Sequence, residues 1–308
     1  MTKPMDVIVI GTIIKETIVY PTHEEGPVIG SPAAYSSLVM ATQGRNIGMV
    51  CYYGHDMDDI ISELDAIDKS GWMDYEYTTR NRLVYREDGT KYVDYLKVAP
   101  SLKFENIIPE YLDSQYFKIC PMNYEVELDL IAKLHGLGKT VFVDLGGYGG
   151  ATGEIERQSI ECEFGKNVID TICKNATIVK ASDEDLRSII PNRTTEEAVQ
   201  YLIDAGAPIV VVTRGGNGAM WKIGDGEIQY MKSFNPKSEA PDGSLNFTGA
   251  GDSFGAGFMA SYCKYEDVAK AVLNGNATAS LVIQGPGGCI KKRMPTADRV
   301  ARRIAGEE

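Results

Sequence analysis

Apolar and polar positions along this chain follow two rhythms that take turns. Residues 7–12 form an unbroken, mostly β-branched run, the pattern of a strand covered on both faces. Ser31 and Pro32 then read as the N-cap and first position of a helix over 33–42, ended by Gly44. A second buried strand follows over 46–53. Ile60, Ile61, Leu64 and Ile67 share one helical face and predict a helix over 58–70, stopped by Gly71. From 116 onward, strands are predicted at 116–120, 140–145, 176–180 and 208–213. Helices are predicted at 125–135, 166–174, 183–190 and 195–205. A short hairpin over 220–222 and 227–231 precedes helices over 251–265, 266–284 and 296–305. Such alternation predicts an α/β fold, with a mostly parallel sheet covered by helices on both faces.

The stretch over 74–102 breaks this rhythm. Tyr75, Tyr77, Val84, Tyr85, Tyr92, Val93 and Tyr95 alternate with polar residues, and Asp88-Gly89-Thr90 stands between two runs as a hairpin turn would. Half-exposed antiparallel strands are expected here, in a small sheet projecting from the main body. With no internal repeat or low-complexity linker in view, the expectation is one domain over 1–308.

Composition narrows the partners. The 308 residues are 44% hydrophobic and 24% charged, as in ordinary globular enzymes. A formal net charge of −12 disfavours nucleic acid and anionic membrane as partners. The basic runs Lys291-Lys292-Arg293 and Arg302-Arg303 read as solvated faces, so an anionic substrate must be held by local groups. The six cysteines include no Cys-x-x-Cys pair and read as free thiols of a reducing, cytoplasmic compartment. His23, His55 and His135 have no metal-ligand spacing. No signal-peptide pattern precedes the first strand, and no apolar run approaches the ~20 residues of a membrane helix.

The most specific chemistry lies in Asn246-Phe247-Thr248-Gly249-Ala250-Gly251-Asp252-Ser253-Phe254-Gly255-Ala256-Gly257. A glycine-rich turn opens a helix, whose unpaired N–H groups and positive dipole end attract anions. A carboxylate in such a place suits one task, accepting the proton of a hydroxyl that attacks a phosphate. The string resembles the signature of the ribokinase-like sugar kinases, the PfkB family, and the order of features over nearly the whole chain is similar to that family.

The resemblance implies a Rossmann-like body with a β-sheet lid, here strands near 12–20 and within 74–102. It implies ATP as phosphoryl donor, Mg²⁺ as its companion and an alcohol of a small sugar or polyol as acceptor. The catalytic base falls on Asp252, and the anion hole on the amides of Gly249, Ala250 and Gly251. Thr213, Gly215 and Gly218 match a Thr-x-Gly-x-x-Gly turn bordering the nucleotide. Thr248 and Asn276 fall on further nucleotide positions, and Gly285-Pro286-Gly287-Gly288 on the loop after the Asn276 helix. The acceptor side falls on Glu16, Gly30, Ser31, Tyr35 and Asp144.

Departures concern the acceptor and the ions. Gly30-Ser31 stands where Gly-Gly is usual, and Tyr35 where the pattern carries Asn. Glu16 takes the place of a hydroxyl-binding Asp. Asp144-Leu145-Gly146-Gly147-Tyr148 lacks the Asn and Arg of an Asp-x-Asn-x-Arg element, which argues against an already phosphorylated substrate. The Asn-x-x-Glu that organises Mg²⁺ through water appears as Ser182-Asp183-Glu184-Asp185, leaving Asp185 as the acidic member. Asn246-Phe247 replaces Asp-Thr in a loop that often helps bind a monovalent cation, so potassium dependence stays open. Tyr77, Tyr85, Tyr92 and Tyr95 suit a sugar or nucleoside and equally a homodimer packed lid to lid. A nucleoside kinase on the same scaffold and a non-catalytic sugar- or nucleotide-binding protein are the alternatives. A dinucleotide-dependent dehydrogenase is disfavoured, because no Gly-x-Gly-x-x-Gly follows the first strand.

Overall fold

The computed structural model describes residues 4–87, 91–150, 158–240, 243–285 and 288–308. In chain order its strands are β1 (Val7–Ile10), β2 (Ile14–Val19), β3 (Glu24–Gly30), β4 (Ile47–Tyr53), β5 (Trp72–Asp74), β6 (Thr79–Tyr85), β7 (Lys91–Lys97), β8 (Tyr116–Ile119), β9 (Thr140–Asp144), β10 (Ile178–Ser182), β11 (Ile209–Thr213), β12 (Ala219–Ile223) and β13 (Gln229–Met231). The helices are α1 (Pro32–Thr42), α2 (Leu128–Gly136), α3 (Glu163–Asn175), α4 (Asp183–Ile189), α5 (Thr195–Asp204), α6 (Ala250–Tyr265), α7 (Val268–Val282) and α8 (Ala297–Ala305).

Nine strands form one sheet in the order β13-β12-β11-β10-β9-β8-β1-β4-β5. All neighbours from β11 to β5 run parallel, while β12 and β13 add antiparallel at one edge. Alternation along β1 sorts the core into two layers. Val7 and Val9 face α1, α6 and α7 with Leu38, Phe258 and Val272, whereas Ile8 and Ile10 face α2, α3 and α5 with Leu130, Ile169 and Val199. Strand order reverses between β1 and β8, the place where open α/β sheets leave a crevice at their carboxyl ends. The buried carboxylate of Glu125 secures that point. It accepts the amides of Thr12 at 3.3 Å, Met122 at 2.9 Å and Asn123 at 2.8 Å.

The small sheet has the order β3-β2-β6-β7. Segment 24–30, unassigned from its pattern, supplies an edge strand. Conversely, β5 pairs with β4 at the edge of the large sheet, so Trp72–Asp74 stands outside the small one. The expected Asp88-Gly89-Thr90 turn lies outside the described residues.

The helix expected over 58–70 is replaced by short 3₁₀ turns at His55–Met57 and Ile61–Leu64. Tertiary bonds at both ends override the local periodicity. Asp56 accepts the Thr78 amide at 2.9 Å and pairs with Arg80 at 2.6 Å, while Asp68 donates its amide to Ile47 O at 2.9 Å. The reading of both basic runs as solvated holds for Lys291, Lys292 and Arg302, which are exposed, and is corrected at one residue of each run. Arg293 and Arg303 are buried, and Arg303 donates to Asn235 O at 3.2 Å. Among the described residues, no helix is long and apolar enough to cross a membrane, and the six cysteines are free thiols.

Candidate active site

A cleft of about 510 Å³ opens at the carboxyl ends of β9, β10 and β11, between the large and small sheets. Asp252 reaches it from the first turn of α6. Gly249 caps that helix in the left-handed conformation, with φ 75°. A Cβ there would lie 2.4 Å from Cε1 of Tyr35, so glycine is required both for the backbone and for the ring beneath it. Within the turn, the Ala250 amide donates to Phe247 O at 3.1 Å. Of the three amides expected to form an anion hole, those of Gly249 and Gly251 make no such turn bond among the described residues.

Glu16, Ser31, Tyr35 and Asp144 line one side of the cleft, with Leu83 and Tyr85 above them from β6. Gly30 lies behind Glu16 and allows its carboxyl group to pack closely. The Ser31 hydroxyl accepts the Ala34 amide at 3.1 Å, as the N-cap of α1. The Tyr35 hydroxyl faces Arg293 at 3.0 Å. Burial pushes the Tyr35 phenol well above its usual range, against the opposing pull of the guanidinium. Tyr85 reaches across from the small sheet, its hydroxyl 2.8 Å from Thr248 Oγ1.

On the other side, Thr213 and Gly215 border the cleft together with Arg214. Gly218 and Asn276 do not line it. Gly218 closes the 3₁₀ turn after β11, and Asn276 donates to Lys232 O at 3.3 Å. Asp185 does line the cleft while completing a capping box, accepting from the Ser182 amide at 2.8 Å and hydroxyl at 2.7 Å. Of the Gly285–Gly288 loop, Pro286 and Gly287 lie outside the described residues.

Two functional candidates escaped the motif reading. Lys180 lies on β10 with its ammonium 2.9 Å from Asp144 Oδ2. A Cβ added at Gly251 would be 3.3 Å from that ammonium, so the cation sits directly under the glycine turn. Burial disfavours its charge, but Asp144, Asp185 and Asp252 outweigh that effect and raise its pKa above the lysine range. A charged residue inside the apolar run Ile178-Val179-Lys180-Ala181 was the available signal. The second is Arg293, for which the run Lys291-Lys292-Arg293 held no signal.

Residues 154–296 match the model of the pfkB family carbohydrate kinases. A cytidine kinase of Thermococcus kodakarensis is 27% identical over 288 residues, covering 91% of this chain and 96% of the relative. Arabidopsis thaliana ribokinase, solved with ribose and ATP, superposes with a TM-score of 0.77 at 16% identity, covering 98% of this chain and 99% of the other. A pyrophosphate-dependent kinase of the ribokinase family, solved with a pyrophosphate analog and myo-inositol, superposes with a TM-score of 0.73 at 17% identity over 93% and 98% of the two chains.

Proposed function

We propose that the chain, whose residues 154–296 match the pfkB family carbohydrate kinases, transfers the γ-phosphoryl group of ATP to an alcohol of a small sugar or polyol. The observation that carries this reading is the convergence of Asp252, the Gly249–Gly251 turn and the polar groups of Glu16 and Asp144 on one cleft. In the proposed reaction the acceptor hydroxyl gives its proton to the Asp252 carboxylate as its oxygen attacks the γ-phosphorus. The bond to the β–γ bridging oxygen breaks, and ADP leaves with that electron pair. The amides of Gly249 and Gly251, at the positive end of α6, stabilise charge on the transferring group. Ala250 contributes by holding the turn. Lys180 offsets the buried carboxylates and keeps Asp252 from being one more uncompensated negative charge.

Glu16, Ser31 and Asp144 are proposed to orient the acceptor, with Gly30 making room for Glu16 and Tyr35 closing the floor. Thr213, Gly215 and Thr248 are proposed to border the donor, with Gly218 shaping the turn and Asn276 supporting from α7. The carboxylate-rich wall fits Mg²⁺. Asp183, Glu184 and Asp185 line the cleft, and such an ion is held by one or two carboxylates while it keeps several waters. Asp185 is the residue proposed to hold it through water, and when bound it would neutralise phosphate charge. The small sheet acts as a lid, excluding water that would otherwise consume ATP.

A nucleoside acceptor is the second reading. Tyr85, Leu83, Met122 and the exposed ring of Phe247 give the cleft apolar and aromatic surface suited to a base, and the relative matching over most of the chain is named a cytidine kinase. Turnover against sugars, cyclic polyols and nucleosides, each with ATP and with pyrophosphate, separates these readings. In that assay Asp252→Asn should lower kcat by ~10²–10⁴-fold at unchanged stability. Wild-type turnover in this variant would remove Asp252 as the base.

A further inference from the structure

The guanidinium of Arg293 lies beneath the loop that leads into α6, and the residue is 5% exposed. Its Nε donates to Val282 O at 2.9 Å. One terminal nitrogen donates to Tyr35 Oη at 3.0 Å and Gly288 O at 3.2 Å, the other to Asn246 O and Thr248 O, both at 3.0 Å. A guanidinium has five N–H groups, so each has one acceptor. Four acceptors are main-chain carbonyls and the fifth is a phenol oxygen. Among the described residues no carboxylate pairs with this cation.

A buried charge balanced by carbonyl dipoles instead of an anion is what a desolvated alkali ion demands of a protein. The family resemblance implies such an ion beside this loop, and the residues present do not fit it. Asn246 stands where the pattern carries Asp, so the anionic ligand is missing. The carbonyls of Asn246 and Thr248, which flank Phe247, are already turned onto Arg293.

We propose that Arg293 is a built-in cation that replaces an exchangeable monovalent ion, making phosphoryl transfer independent of K⁺ and Na⁺. This rests on the kinase reading above. Arg293 acts as a positioning residue. It pins the carbonyls on both sides of Phe247 and anchors the Tyr35 ring against which Gly249 packs, and so aims the Gly249 and Gly251 amides.

Two measurements on the wild-type enzyme test the proposal. Turnover in tetramethylammonium buffer and in about 0.1 M KCl or NaCl at matched ionic strength should agree within about two-fold. Crystals soaked in a thallium(I) salt should show no anomalous peak beside Asn246 O and Thr248 O. Arg293→Ala should lose ~10²-fold in kcat through misplaced amides, and K⁺ or guanidinium should restore much of it. A Tl⁺ peak among the vacated carbonyls is expected in the same variant. A rise of about ten-fold or more in wild-type turnover on adding K⁺, or wild-type kcat in ion-free Arg293→Ala, would overturn the proposal. So would a Tl⁺ peak at this loop in the wild type. The wild-type arms decide the matter even where Arg293→Ala does not fold. The thallium arm does so whether or not an acceptor is found, which separates this proposal from the kinase reading.

Discussion

Gly249→Ala tests the turn at its tightest point. The new methyl carbon would lie 2.4, 2.5 and 2.7 Å from Cε1, Cζ and Cδ1 of Tyr35. Carbon atoms pack at about 3.5–4.0 Å, so the contact must open by about 1 Å. The ring cannot swing away freely, because it is buried and its hydroxyl accepts from Arg293 at 3.0 Å. The backbone adds a second cost, since φ 75° is a left-handed conformation that burdens a side chain by about 1–2 kcal/mol. With about 1–3 kcal/mol for overpacking, the variant should lose about 2–5 kcal/mol if the loop holds its place. If the loop moves instead, the Gly249 amide shifts by about 1 Å and kcat falls by ~10²-fold. Urea unfolding and initial-rate kinetics on one preparation follow both routes. In a double-mutant cycle with Tyr35→Ala, the combined loss should be smaller than the sum by at least about 1 kcal/mol, because the ring that clashes is gone. A Gly249→Ala protein with both wild-type unfolding midpoint and wild-type kcat would refute the argument.

Lys180→Met leaves the Asp144 carboxylate buried without its cation and should cost about 3–5 kcal/mol in urea unfolding. Adding Asp144→Asn should recover part of that loss, and no recovery would show that the pair is not coupled. Tyr85→Phe removes the hydroxyl contact to Thr248 and should cost about 0.5–1.5 kcal/mol, with a raised acceptor KM and faster amide exchange over 246–249. Unchanged exchange there would show that the small sheet does not restrain the loop. Burial pushes the Cys173 thiol from 9.0 up to about 12. The unfolded chain therefore releases this proton first, so the stability it confers is complete below pH 9.0 and lost as pH rises towards 12. Between these limits the loss is about 1.4 kcal/mol per pH unit. Cys173→Ala should show a shallower fall between pH 9 and 10 than the wild type, and equal slopes would count against it.

Local spacing alone determined much of this protein. β-Branched runs, N-caps and glycine stops place most strands and helices, because helix and strand geometry involve residues close in the chain. The glycine turn and Asp252 were legible for the same reason, as a glycine-rich helix start is built from consecutive residues. Lys180 left a signal that went unread, a charge within an apolar strand, and nothing local announced its meeting with Asp144 from the neighbouring strand. Tertiary structure alone decided the partners that lie far apart in sequence. Glu125 accepts the amide of Thr12, the helix expected over 58–70 gives way as Asp68 bonds to β4 and Asp56 to Arg80 of β6, and Tyr35 comes to rest under Gly249. Arg293 is the clearest case. A run of basic residues ordinarily stays in water, because burying a charge is costly. Here the closed fold adds acceptors from Tyr35 and from Asn246 and Thr248, far away in sequence, to the nearer carbonyls of Val282 and Gly288, and that full set of dipoles exists only once α1, α6 and α7 have packed together.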